Sequence, residues 1–495
     1  MVAGVSVALV LVPQSLAYAE LAGLPGHHGL WAAAAAPLAA ALLASSPFLQ
    51  TGPVAVTSLL TLGALVQLAP VGSERYVGLA ALLAIVVGLA RLLIGLFRVG
   101  WISYLMSQPV ILGFMTGASV LIAASQLPAL LGVRRAGGGV LADAVAALVE
   151  PSAWSGSAVV VGMVSMAIIV GLRRLSPRVP GVLVAALGAL LYSHFLGYTG
   201  PVLGGIDAGL PPVTLRLPWT ALPALLLPGV VISLVGFADV AAIARTYATR
   251  DRQHWDPDRE FLGQGVANLA AGLVSGYPVG GSFARSSLGR SSGGRTRWTG
   301  FVTGAAVLGF LPFAGVVAAL PSATLAAIVL TATWGLIDLK TMARVMSLSV
   351  SQGLVALTTF ATTLLFAPRI DLAVVVGIAT SLVVHAWREL RLEPNVQIEG
   401  DVVHVAPQGV LWFASAPFVE PELLWALSQY EGARKLRVDL KGLGRIDLSG
   451  ALALRRILDD ARDAGLETEL VGVPLHAERM VRRVLRPDDQ DAELP

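Results

Sequence analysis

The sequence contains no cysteine and few charged residues. Without cysteine, neither a disulfide framework nor a thiolate metal site can form. Charged residues make up 13% of the chain, about half of the fraction that is typical of globular domains. Hydrophobic residues make up 55%, and the mean hydropathy is +0.75. This composition excludes an ordinary soluble protein for most of the chain and indicates an integral membrane protein.

Charge is distributed unevenly along the chain. Residues 1–395 contain 22 basic and 14 acidic residues, whereas residues 396–495 contain 12 basic and 17 acidic residues. The C-terminal part therefore has a soluble composition and a net negative charge. We predict a transmembrane domain over residues 1–392 and a soluble domain over residues 396–495. The basic residues lie in short loops between apolar runs, which argues against nucleic-acid binding despite a pI near 9.3.

The apolar runs predict fourteen membrane-spanning segments. A helix needs about 20 apolar residues to cross a bilayer, and twelve runs are close enough to that length to count as spans. Two shorter stretches, 53–69 and 283–293, are introduced by Gly and Pro and are predicted to be half-length, broken helices. The twelve other runs are residues 2–23, 29–47, 77–97, 102–127, 158–174, 180–198, 224–247, 260–276, 299–320, 322–338, 348–366 and 370–388.

The distribution of Lys and Arg between the loops tests this count. Cytoplasmic loops carry an excess of both residues, and a cytoplasmic N-terminus puts sixteen on that side and five on the other. The asymmetry would collapse without either short segment, because every later loop would change sides. The pattern supports both broken helices and predicts a cytoplasmic C-terminal domain. The sixteen are Arg91, Arg98, Arg173, Arg174, Arg178, Arg245, Arg250, Arg252, Arg259, Arg290, Arg295, Arg297, Lys340, Arg344, Arg388 and Arg391, and the five are Arg75, Arg134, Arg135, Arg216 and Arg369.

The two broken helices occupy equivalent positions in two halves of the chain. Each is the third of seven spans, within residues 1–200 and 222–392. An odd number of spans in each half makes the two repeats inverted relative to each other. Paired, Gly/Pro-interrupted segments in corresponding positions are the best sequence indication of a transporter binding site. We therefore predict a polytopic α-helical membrane protein of two inverted repeats, with a substrate site at the broken third and tenth helices.

Three charged residues are predicted to lie well inside spans, namely Glu20, Asp239 and Arg285. A charge at the bilayer centre costs at least ~2.5–3.5 kcal/mol on insertion scales, so such residues line cavities or pair with one another. Arg91 is predicted to lie close enough to the inner interface for its side chain to extend to the headgroups. Glu20 lies near the end of the first span, where it either reaches the outer interface or takes part in ion coupling.

Arg285 begins the second broken helix, and Pro53 is predicted to occupy the first helical position of the other. A helix N-terminus presents free backbone N–H groups and about half a positive charge. Two such termini that meet beside a guanidinium would form an anion site. The alternative is that Arg285 pairs with Asp239 as structural support. Asp239 is then either a fixed counter-ion or a carboxylate that couples transport to a proton or Na⁺.

Several motifs resemble those of the sulfate permease (SulP) family of anion transporters. The first span reads PQSLAYAELAGLP over residues 13–25 and is followed by GLW at 29–31. The motifs occur in order over nearly the whole chain, so the resemblance is specific. The remaining matches lie at residues 51–59, 264–268, 281–286 and 320–329.

The resemblance implies a fourteen-segment fold in which a core domain carries the substrate against a gate domain. It places the site between the N-termini of the third and tenth helices, with the first and eighth spans as walls. Gln14 and Tyr18 would face the substrate, and their helical spacing of four residues puts both on one face. The alternative is that these two side chains only join the first span to its neighbours.

The helix tips complete the site that the resemblance implies. Val54 and Ala284 would form the two tips, and substrate contacts are also expected from Gly52, Pro53 and Ser286. The sequence departs from the family pattern in three places: family members often have Ser at position 284, an aromatic residue at 54 and Glu at 239. The resemblance also implies a cytoplasmic segment before the first span, whereas this sequence begins almost inside that span.

The soluble domain alternates strands and helices. We predict strands at 402–413, 435–440 and 467–473, and helices at 421–430, 449–464 and 476–486. The alternative for 402–413 is a hairpin. The pattern resembles a STAS domain. The turn formed by Asp447, Ser449 and Gly450 is a candidate regulatory site, in which Ser449 is expected to cap the following helix. We expect the domain to be regulatory or to support a dimer.

The leading hypothesis is ion-coupled secondary transport of a small anion such as sulfate, bicarbonate, chloride or a dicarboxylate. The alternatives are passive anion conduction on the same fold and a membrane-anchored STAS signalling scaffold. We expect an inner (plasma) membrane protein that lies in the lipid bilayer as a homodimer and uses no cofactor. No nucleophile–base pair or phosphate-binding loop stands out in the sequence, which makes an enzyme the least favoured class.

Overall fold

The computed structural model divides the chain into two compact units, Met1–Ser381 and Leu382–Pro495. The first contains most of the apolar helices, and the second contains the mixed α/β part. The described residues are 1–104, 106–134, 137–175, 179–206, 209–213, 216–390, 392, 395–417, 421, 425, 428 and 432–485. Among the loop residues used above, Arg135, Arg178 and Arg391 lie outside these ranges.

The first half of the chain contains eight helices among its described residues. They are α1 (Val2–Leu21), α2 (Gly26–Leu43), α3 (Ala55–Leu65), α4 (Glu74–Leu96), α5 (Gln108–Leu131), α6 (Val140–Val149), α7 (Gly156–Leu175) and α8 (Gly181–Phe195). A two-residue strand, β1 (Thr51–Gly52), precedes α3. At about 1.5 Å per residue, the 11 residues of α3 cover roughly half of a bilayer core.

The second half repeats this order. It contains α9 (Leu222–Asp251), α10 (Pro257–Leu273), α11 (Phe283–Ser291), α12 (Trp298–Phe310), α13 (Ser322–Thr333), α14 (Leu339–Leu348), α15 (Val350–Leu365) and α16 (Ile370–Leu390). Strand β2 (Gly280–Gly281) precedes the nine-residue α11, just as β1 precedes α3. A 3₁₀ segment, Leu311–Ala319, continues α12.

Each of the fourteen predicted spans contains a helix, and the third and tenth are the short ones. Within the described residues, eight helices are long and apolar enough to cross a membrane by themselves, and four others are shorter apolar helices. The prediction of a polytopic membrane protein with two inverted seven-span repeats is therefore confirmed. Helices α6 and α14 were not predicted, because ten residues with interspersed charges fall below the length of a span.

The spans pack as two bundles within the first unit. The core bundle contains α1–α4 and α9–α12, and its largest contacts join α10 to α4 and α2, and α2 to α12. The gate bundle contains α5, α7, α8, α13 and α15, with α5 and α13 at its centre. Helix α16 packs against α15, where a Cβ at Gly377 would lie 2.6 Å from Thr359 Oγ1. Small residues permit this close packing. A Cβ at Gly88 would lie 2.8 Å from the Leu269 nitrogen, and one at Gly113 would clash with the Ala356 carbonyl oxygen.

The second unit contains a four-stranded sheet of order β3-β4-β6-β8. Strand β3 pairs antiparallel with β4, and the β4–β6 and β6–β8 pairs are parallel. Strand β5 pairs with β7 in a separate parallel ladder. The strands are β3 (Val396–Glu399), β4 (Val402–Val405), β5 (Gly409–Leu411), β6 (Lys435–Asp439), β7 (Leu443–Ile446) and β8 (Glu467–Val471), and the helices are α17 (Leu448–Asp463) and α18 (Glu478–Val484).

The strand predictions are correct at β6 and β8 and need one correction at 402–413. That segment forms two strands, β4 and β5, that do not pair with each other, and the hairpin instead joins β3 to β4 through Gly400 at φ 61°. Strands β3 and β7 were not predicted. The predicted helices at 449–464 and 476–486 correspond to α17 and α18, whereas most of the predicted helix at 421–430 lies outside the described residues.

Candidate functional site

A four-residue bridge brings the two broken helices together. Thr51 pairs with Gly281 and Gly52 pairs with Gly280, in antiparallel register. Because β1 leads into α3 and β2 leads into α11, the two helices run in opposite directions away from the bridge. Their N-termini therefore lie at its two ends, as the inverted repeats predict.

The two helix N-termini differ in how they are capped. Val54 is the N-cap of α3 and makes no side-chain cap hydrogen bond. The first backbone N–H groups of α3 therefore remain available as donors. Ser282 caps α11, and its Oγ accepts from the Arg285 backbone nitrogen at 3.4 Å. Pro53 is buried and precedes the cap residue, so its prediction as the first helical residue is wrong. Ala284, in the first turn of α11, is exposed.

The Arg285 guanidinium is buried beside this bridge and incompletely paired. Its side chain is 1% exposed, and its Nη1 donates to Gln14 Oε1 at 3.1 Å. Its Nε and Nη2 atoms have no hydrogen-bond acceptor within the described part of the chain. A Cβ added at Gly52 would lie 3.5 Å from Nη2, so the glycine leaves space next to the free donors. A buried cation with unused donors is expected to receive an anion.

Polar side chains from α1 and from the loop before β2 surround the guanidinium. Gln14 and Tyr18 are both buried, one helical turn apart on α1. Since Gln14 uses its oxygen to accept from Arg285, its amide N–H groups remain as donors. Tyr18 and Tyr277 are the electrostatic neighbours of Arg285, and Tyr277 is fully buried. Sequence reasoning missed Tyr277, which lies outside the spans and the motifs.

Ser286 supports the bridge through its hydroxyl oxygen. Its Oγ accepts from the Gln50 backbone nitrogen at 2.9 Å, and the Ser282 nitrogen donates to the Gln50 carbonyl at 3.1 Å. These two hydrogen bonds extend the pairing of β1 and β2 by one residue. Ser286 therefore contributes to the site indirectly, because its side chain holds the backbone of Gln50 next to β1.

Asp239 does not pair with Arg285 in this structure. The partner of Arg285 is Gln14, and Asp239 makes no hydrogen bond or ion pair with any described residue. Asp239 is half-buried on α9, whose neighbouring residue Val240 would lie 3.1 Å from a Cβ at Gly281. Asp239 thus lies on the helix segment that flanks β2. Glu20 is half-buried near the C-terminal end of α1.

Helix α10 holds both sides of the bridge through three buried polar residues spaced by four. Glu260 Oε2 accepts from the Ser46 backbone nitrogen at 2.7 Å. Gln264 Nε2 donates to Thr51 Oγ1 at 2.8 Å and so holds β1. Asn268 donates to the Val279 carbonyl at 3.2 Å and accepts from the Val279 nitrogen at 2.9 Å, just before β2. The four-residue spacing of these polar residues in an apolar span is a local sequence signal for such a role. The sequence analysis recognised residues 264–268 only as a family motif.

Arg91 is fully buried, so the prediction that its side chain extends to the membrane interface is wrong. Its guanidinium donates to the carbonyl oxygens of Ile232 and Ser233 at 3.4 Å and of Val279 at 3.1 Å. A Cβ at Gly236 would lie 2.6 Å from its Nη2. These carbonyls surround the guanidinium closely, and Arg91 therefore joins α4 and α9 to the start of β2.

In the second unit, Asp447 rather than Ser449 caps α17. Asp447 Oδ1 accepts from the Gly450 nitrogen at 2.7 Å, and the helix begins at Leu448. The prediction of Ser449 as the cap is therefore wrong, and its side chain is exposed in the first turn. A Cβ at Gly450 would lie 2.5 Å from the Leu411 carbonyl oxygen, so the backbone of α17 passes directly against β5.

Comparison with known proteins gives two family matches. Residues 1–359 match the profile of the Sulfate permease family, and residues 393–485 match that of the STAS domain. A protein of Mycobacterium tuberculosis named "probable sulfate transporter" is 35% identical over 303 residues, which cover 60% of this chain and 53% of that protein. The chain thus spans about half the length of this relative. A bovine "sodium-independent sulfate anion transporter" is 28% identical and aligns with 97% of this chain and 84% of its own length.

Solved structures share the fold at low sequence identity. Murine solute carrier 26 family member A9, an anion transporter solved in the inward-facing state, superposes with a TM-score of 0.89 at 19% identity. It covers 97% of this chain and 86% of that one. The transmembrane domain of the cyanobacterial bicarbonate transporter BicA gives a TM-score of 0.65 at 24% identity, over 77% of this chain and 96% of that one.

Proposed function

Since the chain belongs to the sulfate permease family and carries a STAS domain, we propose that it transports a small anion across a membrane by secondary transport. The relatives that match it are named as sulfate transporters, and one structural neighbour is named as a bicarbonate transporter. The proposed substrates are accordingly small inorganic or carboxylate anions such as sulfate, bicarbonate, chloride or a dicarboxylate. The transporter relatives also favour transport over enzyme activity.

The incompletely paired Arg285 guanidinium carries this proposal. A cation buried to 1% exposure, with two donor atoms unused, is costly unless a ligand compensates it. The α3 N-terminus adds free backbone donors, and helix N-termini favour negative charge. The anion binds between the α3 and α11 tips, where Arg285, the Gln14 amide and the Tyr18 hydroxyl complete its shell.

Transport proceeds by movement of the core bundle against the gate bundle. Phe283 is 51% exposed and Ala284 is exposed, so the α11 tip lies at the surface of the packed core. Elsewhere the two bundles are in contact: a Cβ at Gly63 on α3 would clash with the carbonyl oxygen of Pro368, which precedes α16. An opening at the tip and a contact at the other end of α3 are what a one-sided transport state requires.

Asp239 couples anion movement to a proton or Na⁺. It is half-buried, flanks β2, and has no partner among the described residues. A second charged group within reach of the bridge would let a cation enter together with the anion. Glu20 is the second candidate for coupling. The chain acts as a homodimer in the plasma membrane, with the STAS unit in the cytoplasm as a regulatory element.

The test combines uptake with thermal stability in Arg285→Met. In proteoliposomes we expect this variant to lose uptake of every anion that the unchanged protein carries. In anion-free buffer it should melt at the same or a higher temperature, because an uncompensated buried charge has been removed. The unchanged protein should gain stability with anion concentration, as ligand linkage requires, and the variant should not. Preserved uptake in Arg285→Met, or anion stabilisation of equal size, would overturn the proposal.

A further inference from the structure

Helix α14 has two chemically distinct faces. Successive residues are about 100° apart around a helix, so Lys340, Arg344 and Ser347 share one face, and Met342 and Met346 share another. Lys340 and Arg344 are the only charged residues in the helix, and both are exposed. The pattern is that of an amphipathic helix that lies along an interface rather than crossing it.

The apolar face of α14 is only partly covered by protein. Met342, Val345 and Met346 are half-buried, and Met346 packs against Gly353 of α15, where an added Cβ would lie 2.6 Å from its Sδ. Leu339 and Ala343, on the flank between the packed and the basic faces, are exposed. The helix therefore presents, in rotational order, a protein contact, an uncovered apolar strip and a basic strip.

The turn before α14 carries a further exposed apolar side chain. Trp334 begins the 3₁₀ turn that leads to α14 and is 70% exposed. Tryptophan is enriched where a membrane meets water, because its ring is apolar and its N–H is polar. An exposed tryptophan next to an uncovered apolar strip fits burial in the headgroup region of a bilayer.

The corresponding helix of the first repeat has the opposite charge. Helix α6 lies between the fifth and sixth spans of its half, just as α14 does in its own, and its only charged residue is Asp143. Inverted repeats place these two helices on opposite sides of the membrane. Lysine and arginine favour the cytoplasmic side, where the leaflet is rich in anionic lipids. The sign of the charge thus matches each helix to its surface.

We propose that α14 lies in the cytoplasmic surface of the membrane and binds the phosphate groups of anionic lipids through Lys340 and Arg344. The apolar strip enters the acyl boundary, while the basic strip meets the headgroups. Because α14 contacts α15 and α5, both of the gate bundle, the bound lipids hold that bundle at a fixed depth. This lipid contact goes beyond the proposed transport function, and its test does not depend on transport.

The absence of cysteine in the chain makes a single-site probe possible. Ala343→Cys in the full-length protein, labelled with bimane, places a fluorophore beside Lys340. The protein is reconstituted in phosphatidylcholine vesicles that contain, as a minor component, either spin-labelled phosphatidylglycerol or spin-labelled phosphatidylcholine with the nitroxide at the same acyl position. We expect stronger quenching by phosphatidylglycerol, because each Lys or Arg near an anionic surface contributes a factor of about five to the attraction between them. Added salt should reduce the difference.

Two controls test the role of charge. In the Lys340→Gln, Arg344→Gln double variant of the Ala343→Cys protein, both spin-labelled lipids should quench the bimane fluorescence equally. Ala146→Cys on α6, exposed and next to Asp143, should show no preference for phosphatidylglycerol. Equal quenching of the unneutralised probe, an anionic preference that survives neutralisation, or no quenching by either lipid would overturn the proposal.

Discussion

Arg285 Nη1 donates to Gln14 Oε1 at 3.1 Å, across 271 residues of sequence. The contact is between a cation and a neutral amide, and it leaves the positive charge of Arg285 uncompensated. It also fixes the Gln14 amide with its N–H groups free to donate. In the proposed site, the charge therefore attracts an anion and the amide orients it.

Gln14→Glu tests this relationship directly. The substitution keeps the shape of the side chain but places a carboxylate about 3 Å from the guanidinium, where it acts as an internal counter-ion. We expect KM for the transported anion to rise about ten- to hundredfold, because hydrogen bonds to charged groups contribute about 1.5–3 kcal/mol. Initial rates of uptake in proteoliposomes measure it.

Gln14→Leu serves as the control for that substitution. It removes the amide without neutralising Arg285, so the rise in KM should be smaller than for Gln14→Glu. An equal effect of both variants would show that the charge at this position does not matter.

Asn268→Leu should weaken the support that α10 gives to the β1–β2 bridge. The substitution leaves the Val279 N–H without its partner and removes one donor to the Val279 carbonyl, and each buried group left unsatisfied costs about 1–3 kcal/mol. We expect a lower melting temperature in detergent and weaker anion stabilisation. Asn268→Asp keeps the acceptor for the Val279 N–H, so its melting temperature and anion stabilisation should lie between those of the unchanged protein and of Asn268→Leu. Full anion stabilisation in Asn268→Leu would contradict a positioning role for α10.

Gly63→Leu should prevent the core and gate bundles from closing at Pro368. Even a Cβ at this position clashes with the Pro368 carbonyl oxygen, so the larger side chain favours states in which the bundles are separated there. The reporter is Ala284→Cys, labelled by a membrane-impermeant maleimide from the cytoplasmic side. We expect slower labelling in Gly63→Leu than in the reporter alone.

Gly188→Leu is the matched control for that experiment. Gly188 lies on α8, and an added Cβ there meets nothing within 4 Å. Labelling of Ala284→Cys should be unchanged in this variant. A labelling rate in Gly63→Leu equal to that in Gly188→Leu would show that the contact does not control access.

In the STAS unit, Asp447→Ala should destabilise α17, whereas Ser449→Ala should not. Asp447 makes the cap hydrogen bond at 2.7 Å, and loss of a cap costs about 0.5–2 kcal/mol. Hydrogen exchange of the peptides that cover α17, measured on the whole chain by mass spectrometry, should accelerate only in Asp447→Ala. Faster hydrogen exchange in Ser449→Ala alone would show that Ser449, and not Asp447, caps α17.

The sequence predicted the parts of the fold that depend on composition and on topology. Apolar length identified the spans, and the requirement that arginines stay on one side identified the two short ones. It failed where a polar group is satisfied by distant backbone: Arg91 was taken for an interfacial residue because its acceptors, Ile232 and Val279, come from other elements. Local pattern cannot reveal such partners.

The same limit applies to the candidate site. Arg285 and the helix tips could be predicted, because a charge in an apolar span and a Gly/Pro interruption are local signals. The Gln14 contact was not visible, since it joins two halves of the chain. The choice between Asp447 and Ser449 as the cap was also not determined, because both residue types cap helices and lie two positions apart.

The bridge between β1 and β2 has a consequence for biosynthesis. Thr51 and Gly52 emerge from the ribosome long before Gly280 and Gly281, yet they are the strand to which those residues pair. Unpaired backbone polar groups cannot remain exposed to lipid, so the first half of the chain must keep this segment hydrated while the second half is inserted. The central element of the protein is therefore among the last to be assembled, and a chain interrupted before residue 280 has an inserted first repeat but lacks the proposed binding site.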